Sequence, residues 1–466
     1  MPDFSPDNVL LMAWRQTLAA RREAVAIMDA SGAMLRTFAG IEDEALQMER
    51  RFADIAPGAV VALQLGNSAR WPEVLLALWR RGLIPLPLAD YLDADEKTAT
   101  LAMSGAAALV TEGAGGLNVE RHAGAWEAAR WPVPVPELLK LTSGTTSAPR
   151  AIRFRAEHLL ADAAHICAGM GLTADDVNFG VIPFSHSYGM SNLLLPLLTH
   201  GVRLVASADR MPRAVLDGLA ATGATVFPGT PVFFQKMAEL EQLPPLSALR
   251  LCISAGAPLP GAAAERFNAK FGRKIHVFYG ASECGGISYD ASDELRFEDG
   301  FVGPPLPGVE IVQEGEGAGP VTVRSAAVGD GYWPADADPA LGGGAFVPGD
   351  LVRRTARGLY LAGRTSDVIN VAGRKLNPLE VEARIAACPG VAQVVVFGVP
   401  SALRGEEAVA CVAGAGLEAA AVQRFCHETL SPWQVPRAVW IVAEIPVNER
   451  GKISRRALAA RFAEER

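Results

Sequence analysis

The sequence has no run near the roughly 18 consecutive apolar residues that a membrane-spanning helix needs. Nor does it contain a G-x-x-x-x-G-K-[ST] loop, which disfavours an ordinary P-loop ATPase. Its six cysteines, Cys167, Cys252, Cys284, Cys388, Cys411 and Cys426, form no C-x-x-C pair and no zinc-type spacing. That excludes a cysteine-based zinc module and predicts buried free thiols in a reducing compartment. Positive charge is not in excess: the formal net charge is −8, so the chain has no general reason to bind nucleic acid. Near the C-terminal end Lys452, Arg455, Arg456 and Arg461 lie close together, but Glu449, Glu464 and Glu465 dilute them, and a solvated helix face accounts for the cluster. The first residues carry an acidic group early and no apolar core, so they do not read as a signal peptide. The expectation is a cytoplasmic protein without a membrane span.

Half of the 466 residues are hydrophobic and a fifth are charged, which is globular composition and enough chain for two or three domains. From about residue 58 to 283, short apolar runs alternate with helix-like stretches. The runs are AVVALQLGN, IPLPLAD, VNFGVIP, VRLVASA, ATVFPG, LRLCISAGA and KIHVFYGAS, and ARWPEVLLALWRRG between the first two reads as an amphipathic helix. Repeated β-α units rich in β-branched residues predict parallel sheets covered by helices, with ligands beyond the carboxyl ends of the strands. After residue 290 the texture becomes short strands spaced by Gly and Pro, as in a small β-barrel or antiparallel sheet. From about residue 365 a compact α+β segment follows. The fold expected is therefore α/β: an N-terminal domain over 1–363 with helix-covered parallel sheets and a small β-barrel, then an α+β C-terminal domain over 364–466.

The sharpest segment is LTSGTTSAPRAIRF (141–154). Thr142, Ser143, Gly144, Thr145 and Thr146 are small, and four of them bear hydroxyls. Gly144 lets successive N–H groups point inward, the hydroxyls add donors, and Arg150 adds charge, a combination that cradles a polyphosphate. A flexible Ser/Thr surface loop is the plainer alternative, which the flanking strand-like runs and the arginine disfavour. Further on, YGASE (279–283) places an aromatic face beside a carboxylate, which suits a base and a hard cation. SAGAP (254–258), Pro348-Gly349-Asp350, GRTSDVINVAGRKLNPLEVE (363–382) and NERGKISRR (448–456) are further glycine-containing segments.

Taken in chain order these segments resemble the acyl-CoA synthetase, adenylation-domain and luciferase superfamily, whose phosphate loop reads T-S-G-[ST]-T-G-x-P-K-G. The chain departs from it at Ser147, Arg150 and Ala151. The resemblance implies ATP, Mg²⁺ and CoA, or the phosphopantetheine of an acyl carrier protein. It implies that Tyr279 and Gly280 meet adenine, that Ser282 touches the α-phosphate, and that Glu283 binds Mg²⁺ and serves catalysis. Gly256, Ala257 and Pro258 would line the adenine and acyl pockets. Asp350 would hold the ribose hydroxyls and Arg364 ribose or phosphate. Ser366 would be the hinge of a mobile C-terminal domain, in a place where the family often has Asp or Lys. Gly373 would approach the pantetheine arm, and Lys452 would be the catalytic lysine.

A carboxylate attacking the α-phosphate of ATP brings two anions together, so such a site must supply countercharge. PFSHSYGMSNLLLPLL (183–198) corresponds to the family's acyl segment, with His186 near the carboxylate or at the mouth of the thiol tunnel. Amino-acid-activating members carry F-D-x-S there, whereas this chain has Phe184-Ser185-His186-Ser187. With no carboxylate to meet an ammonium, an aryl or fatty acid is expected. Phe227, Gly229, Thr230, Ser254, Cys284 and Gly285 are candidate pocket walls, with ordinary sheet-end packing as the alternative. An acyl-AMP ligase serving a carrier protein, a non-catalytic nucleotide-binding relative and a luciferase-like oxygenase are the rival readings.

Overall fold

The computed structural model describes residues 8–122, 131, 134–142, 149–334, 340–401, 403–446 and 453–465. The chain divides into two compact units. The first runs through Val312 and includes Thr322–Pro348 and Thr355–Leu359; the second takes in Gln313–Val321, Gly349–Arg354 and everything from Tyr360. No described helix is long and apolar enough to cross a membrane.

In the first unit, eight described strands form one sheet in the order Gly285–Tyr289, Ile275–Ala281, Leu251–Ser254, Val226–Gly229, Val177–Gly180, Arg203–Ala206, Val25–Asp29 and Met34–Thr37. The inner strands pair parallel and the outermost strand on each side pairs antiparallel. Val177–Gly180, Val226–Gly229 and Leu251–Ser254 are buried along their whole length. That is why they read as continuous apolar runs rather than alternating ones. A second sheet runs Ile84–Pro87, Val60–Gln64, Ala108–Gly113, Gly116–Arg121. Its core includes Val60, Ala62, Ile84, Leu86 and Leu109. A small third sheet sets Leu138–Leu141 beside Ala151–Phe154 and then Tyr332–Trp333. The Gly- and Pro-spaced strands Val309–Val312, Thr322–Ser325, Ala345–Phe346 and Leu341–Gly342 pair antiparallel in that order.

The helix read as amphipathic, Trp71–Arg80, is instead buried on every side from Trp71 to Trp79. Helix Phe38–Glu49 packs against it. Its one carboxylate, Glu73, is 0% exposed and is held by Arg36 at 3.0 Å and Arg70 at 3.2 Å. The polar character seen in the sequence therefore belongs to an internal ion cluster and not to a solvated face.

In the second unit, Ile369–Val371, Arg374–Leu376, Val391–Ser401, Gly405–Gly414 and Ala438–Val442 make one sheet. Strand periodicity splits its core in two. Val396, Ala408, Ala410 and Val412 face Val381, Ile385, Val422 and Cys426. Val395, Phe397, Val409 and Cys411 face Leu458 and Phe462 of helix Arg455–Glu464.

Arg455, the first residue of that helix, ties the unit together. Its guanidinium reaches Asp367 Oδ2 and Glu382 Oε1, each at 2.8 Å, and donates from Nε to the Val396 carbonyl at 3.0 Å. Burial pushes the Glu382 carboxyl upward, with Arg455 opposing the shift. Removing one partner of a buried pair strands the other charge, at about 3–5 kcal/mol. Arg455→Met is therefore expected to move the urea midpoint of this unit down by about 1–2 M, read by tryptophan fluorescence. A midpoint within error of wild type would remove Arg455 from this role.

Candidate active site

At the carboxyl ends of the parallel strands, Gly229 and Ser254 lie side by side in register. The neighbouring strand does not stop as a parallel strand would. Ile275–Ala281 turns back at once into Gly285–Tyr289, the turn being closed by Cys284 N–H donating to the Ala281 carbonyl at 3.3 Å. Ser282 and Glu283 thus occupy the tip of a tight hairpin. Two glycines permit it: a Cβ on Gly280 would lie 2.6 Å from the Gly285 carbonyl oxygen, and Gly285 has φ +68° with the Asp162 carboxylate filling the space of its missing side chain. Glu283 accepts a hydrogen bond at Oε1 from the Tyr332 hydroxyl at 3.2 Å, and its own carbonyl accepts from Gly329 N–H at 2.9 Å.

Tyr332 reaches Glu283 because the strand Tyr332–Trp333 pairs with Ala151–Phe154. The same pairing stacks the Arg150 guanidinium over the Tyr332 ring, 4.1 Å from its centroid. Thr142 N–H donates to the Arg150 carbonyl at 3.0 Å, which ties these two residues to each other. Ser143, Gly144, Thr145 and Thr146 themselves lie outside the described residues.

The acyl segment approaches the hairpin from the other side. Ser187 Oγ donates to Ser282 Oγ at 3.0 Å. His186 caps the short helical turn Ser187–Gly189, its Nδ1 accepting the Tyr188 N–H at 3.2 Å. In the neutral ring this places the proton on Nε2, which makes His186 a donor through that atom. A Cβ on Gly189 would stand 2.1 Å from the Pro183 carbonyl oxygen, so glycine is required for the chain to fold back on itself there. A single π-helical turn, Met190–Leu194, follows; such turns often sit at functional sites.

The candidate pocket walls divide. Gly256 and Pro258 are exposed, Ala257 and Thr230 half-buried, and Tyr279 buried. Phe227 is fully buried, packed edge-on against Phe179, Phe233 and Phe234. Cys284 is buried too, and burial raises its thiol well above the ordinary range; all six cysteines are free and buried. Ser254 is 0% exposed, and its Oγ has no hydrogen-bond partner among the described residues. A surface depression of about 480 Å³ bordered by Gly66, Asn67, Asp90, Glu112 and Arg210 contains none of the sequence-predicted residues.

In the second unit Asp350 and Arg364 pair with each other at 3.0 Å. Ser366 donates to Asp367 Oδ1 at 3.2 Å, and the other oxygen of that carboxylate holds Arg455. Gly373 (φ +84°) forms with Ala372 (φ +51°) the two-residue turn between Ile369–Val371 and Arg374–Leu376, the geometry that a tight hairpin demands. Lys452 lies outside the described residues, three positions before Arg455.

Residues 14–138 and 136–333 match the model of the AMP-binding enzymes, and 380–452 match the AMP-binding enzyme C-terminal domain. The chain belongs to the AMP-binding enzyme family. Among its family relatives, a long-chain-fatty-acid–CoA ligase of Bacillus subtilis is 28% identical over 340 residues, 69% of this chain and 61% of that one. An oxalate–CoA ligase of Arabidopsis thaliana is 28% identical over 467 residues, 89% of this chain and 90% of that one. In fold, the chain superposes on the crystal structure of ATP-bound MatB from Rhodopseudomonas palustris with TM-score 0.86 at 24% identity, covering 98% and 99% of the two chains.

Seen as a family member, the chain uses several residues that motif reading passed over. Asn67 extends its amide nitrogen to the carbonyls of Gly180, Ile182 and Ser207 at 3.0–3.2 Å and accepts from Phe184 N–H at 3.1 Å. It therefore pins the start of the acyl segment. The signal for it was only its place just past a strand end. Tyr332 gave no signal beyond a Gly-Tyr-Trp-Pro run. The family-pattern departure at Arg150 acquires a physical reason, because a planar guanidinium stacks on Tyr332 in a way that an ammonium on a flexible stem does not.

Proposed function

We propose that this family member is an AMP-forming acid–thiol ligase that converts a carboxylic acid to its acyl-AMP and passes the acyl group to CoA. The observation that carries the reading is the meeting, at one hairpin tip, of Glu283 with Tyr332, whose ring Arg150 covers on the phosphate-loop side, and of Ser282 with Ser187 from the acyl side. The acid is one without an α-amino group, an aryl or fatty acid, since Ser185 stands where an ammonium would need a carboxylate. CoA is preferred as acceptor because the two curated relatives described above are named CoA ligases.

The roles follow. Thr142, Ser143, Gly144, Thr145, Thr146 and Arg150 hold the departing pyrophosphate. Tyr279, Gly280 and Gly256–Pro258 border adenine, Ser282 meets the α-phosphate, and Asp350 and Arg364 hold ribose. His186 Nε2–H orients the acid's carboxylate. Gly229, Thr230, Ser254, Cys284 and Gly285 border the acyl group, with Phe227 behind them. Ser366 is the pivot and Gly373 meets the pantetheine arm. A lone carboxylate such as Glu283 suits Mg²⁺, which completes its shell with phosphate oxygens and water; bound there, the ion would neutralise charge on the reacting phosphate. The test is mass spectrometry of the chain with ATP, Mg²⁺, CoA and a panel of aryl, fatty and amino acids. At least one non-amino acid is expected to give AMP and acyl-CoA in equal amounts. Failure of every acid to give AMP refutes the reading.

A further inference from the structure

Behind the hairpin is a buried charge that the proposed reaction does not use. Lys140, two residues before Thr142, has its side chain 4% exposed, and Asp162, on helix Ala156–Met170, has its side chain 3% exposed. The ammonium stands 4.0 Å from Asp162 Oδ2, donates to Ser191 Oγ at 3.2 Å and lies over the Phe154 ring at 4.6 Å. Ser191 in turn donates to Asp162 Oδ2 at 2.5 Å. The other carboxylate oxygen, Oδ1, accepts the Gly286 N–H at 3.0 Å. Gly285 has no side chain because this carboxylate occupies that space.

One carboxylate therefore touches three segments of the candidate site. Lys140 belongs to the strand entering the phosphate loop, Ser191 lies in the acyl segment five residues after His186, and Gly285–Gly286 is the return arm of the hairpin that carries Glu283. Burying an ion pair in a core is seldom the most stable choice, since apolar residues of equal volume serve as well or better. Its merit is directional. Each oxygen of Asp162 fixes a particular donor, and the donors come from separate parts of the chain. Burial draws the Lys140 ammonium below its ordinary pKa while Asp162 holds it up, so the lysine acts here as a counter-ion shielded from solvent.

We infer that Asp162, with Lys140 as its counter-ion, is a positioning residue for the nucleotide half of the reaction: it sets the Glu283 hairpin in register with the phosphate-loop strand and the acyl segment. The inference rests on the function proposed above. Its test compares Asp162→Ala with the double variant Lys140→Met/Asp162→Ala. Alanine fits without strain and offers no acceptor, so the Gly286 N–H loses its anchor in both variants, whereas the double variant leaves no stranded charge. Thermal midpoint, ATP binding by equilibrium dialysis, ATP–pyrophosphate exchange, and thioester formation from supplied acyl-AMP are measured on each.

The expected result is a lowered midpoint for Asp162→Ala and recovery of most of that loss in the double variant. In both, exchange is expected to fall about 100-fold, as an ångström-scale misplacement can cause, with ATP bound about tenfold more weakly and thioester formation within about threefold of wild type. Recovery of exchange together with the midpoint in the double variant would make the pair structural only and overturn the inference, as would equal loss of both half-reactions. If wild type binds ATP but supports no exchange with any acid, the ligase reading fails; the dialysis comparison then decides the positioning role by itself. If wild type binds no ATP, both fall.

Discussion

Lys452→Ala is expected to reduce acyl-AMP formation by about 10³-fold, within the range for deleting one preorganised group that stabilises transition-state charge, while thioester formation from supplied acyl-AMP stays within a few-fold of wild type. The asymmetry comes from the charges. In the first step a carboxylate closes on a phosphate that is already anionic. Two unit charges at 4 Å repel by about 4 kcal/mol at intermediate dielectric, and the role proposed for the Lys452 ammonium is to offset that cost. In the second step a thiolate attacks a carbonyl carbon, so no anion closes on phosphorus; the C–O bond breaks and AMP takes the electron pair as a good leaving group, which needs less help from a nearby cation. Arg455, three residues on, is locked to Asp367 and Glu382, so the chain leaving Lys452 enters a fixed helix, and alanine at 452 leaves these contacts in place. Quench-flow measurement of acyl-AMP, beside a coupled assay started from synthetic acyl-AMP, reads the two steps separately. Equal loss in both would sink the assignment.

Glu283→Gln is expected to lower adenylation by about 10²–10³-fold, in the range that removal of one electrostatic group from a preorganised site produces, and to raise the half-saturating Mg²⁺ concentration at least about tenfold. Gln has the shape of Glu and still accepts the hydrogen bond from Tyr332, 3.2 Å away. Only the negative charge is lost. The hairpin is held by its own register, by Gly329 and by Asp162, so stability should change by less than about 0.5 kcal/mol. Tyr332→Phe separates the two contributions: it leaves the charge and removes one hydrogen bond, for a loss of about tenfold. If the Mg²⁺ dependence of Glu283→Gln matched that of wild type, Glu283 would not be the group that meets the cation.

The apolar runs of the large domain were legible because a strand buried on both faces leaves a contiguous mark on the sequence. VNFGVIP, ATVFPG and LRLCISAGA each contain the strand that the structure shows. The edge strand Met34–Thr37 was not seen, since it has no buried residue and leaves no apolar run; Val25–Asp29, whose Ala26 and Ile27 are buried, was not seen because it lies outside the β-α alternation that begins near residue 58. Helix Trp71–Arg80 was placed but its surroundings were misjudged. Charged residues in a helix look solvated from sequence alone, and only the packing of Phe38–Glu49 with the Arg36 and Arg70 contacts shows where Glu73 lies.

By itself, the sequence determined the local chemistry: Gly280 and Gly285 allow the Ser282–Glu283 hairpin, Ala372-Gly373 makes the second-unit turn, and the ordered motifs announce a nucleotide-binding family. These features depend on neighbours a few positions apart, where residue type dictates backbone geometry. Only the tertiary structure decided which distant groups meet. Asp162 and Gly286 are 124 residues apart, Lys140 and Ser191 are 51, and Arg455 and Asp367 are 88. Partners at such separations are chosen by the packing of whole sheets and helices, and no spacing rule along a single chain records that choice.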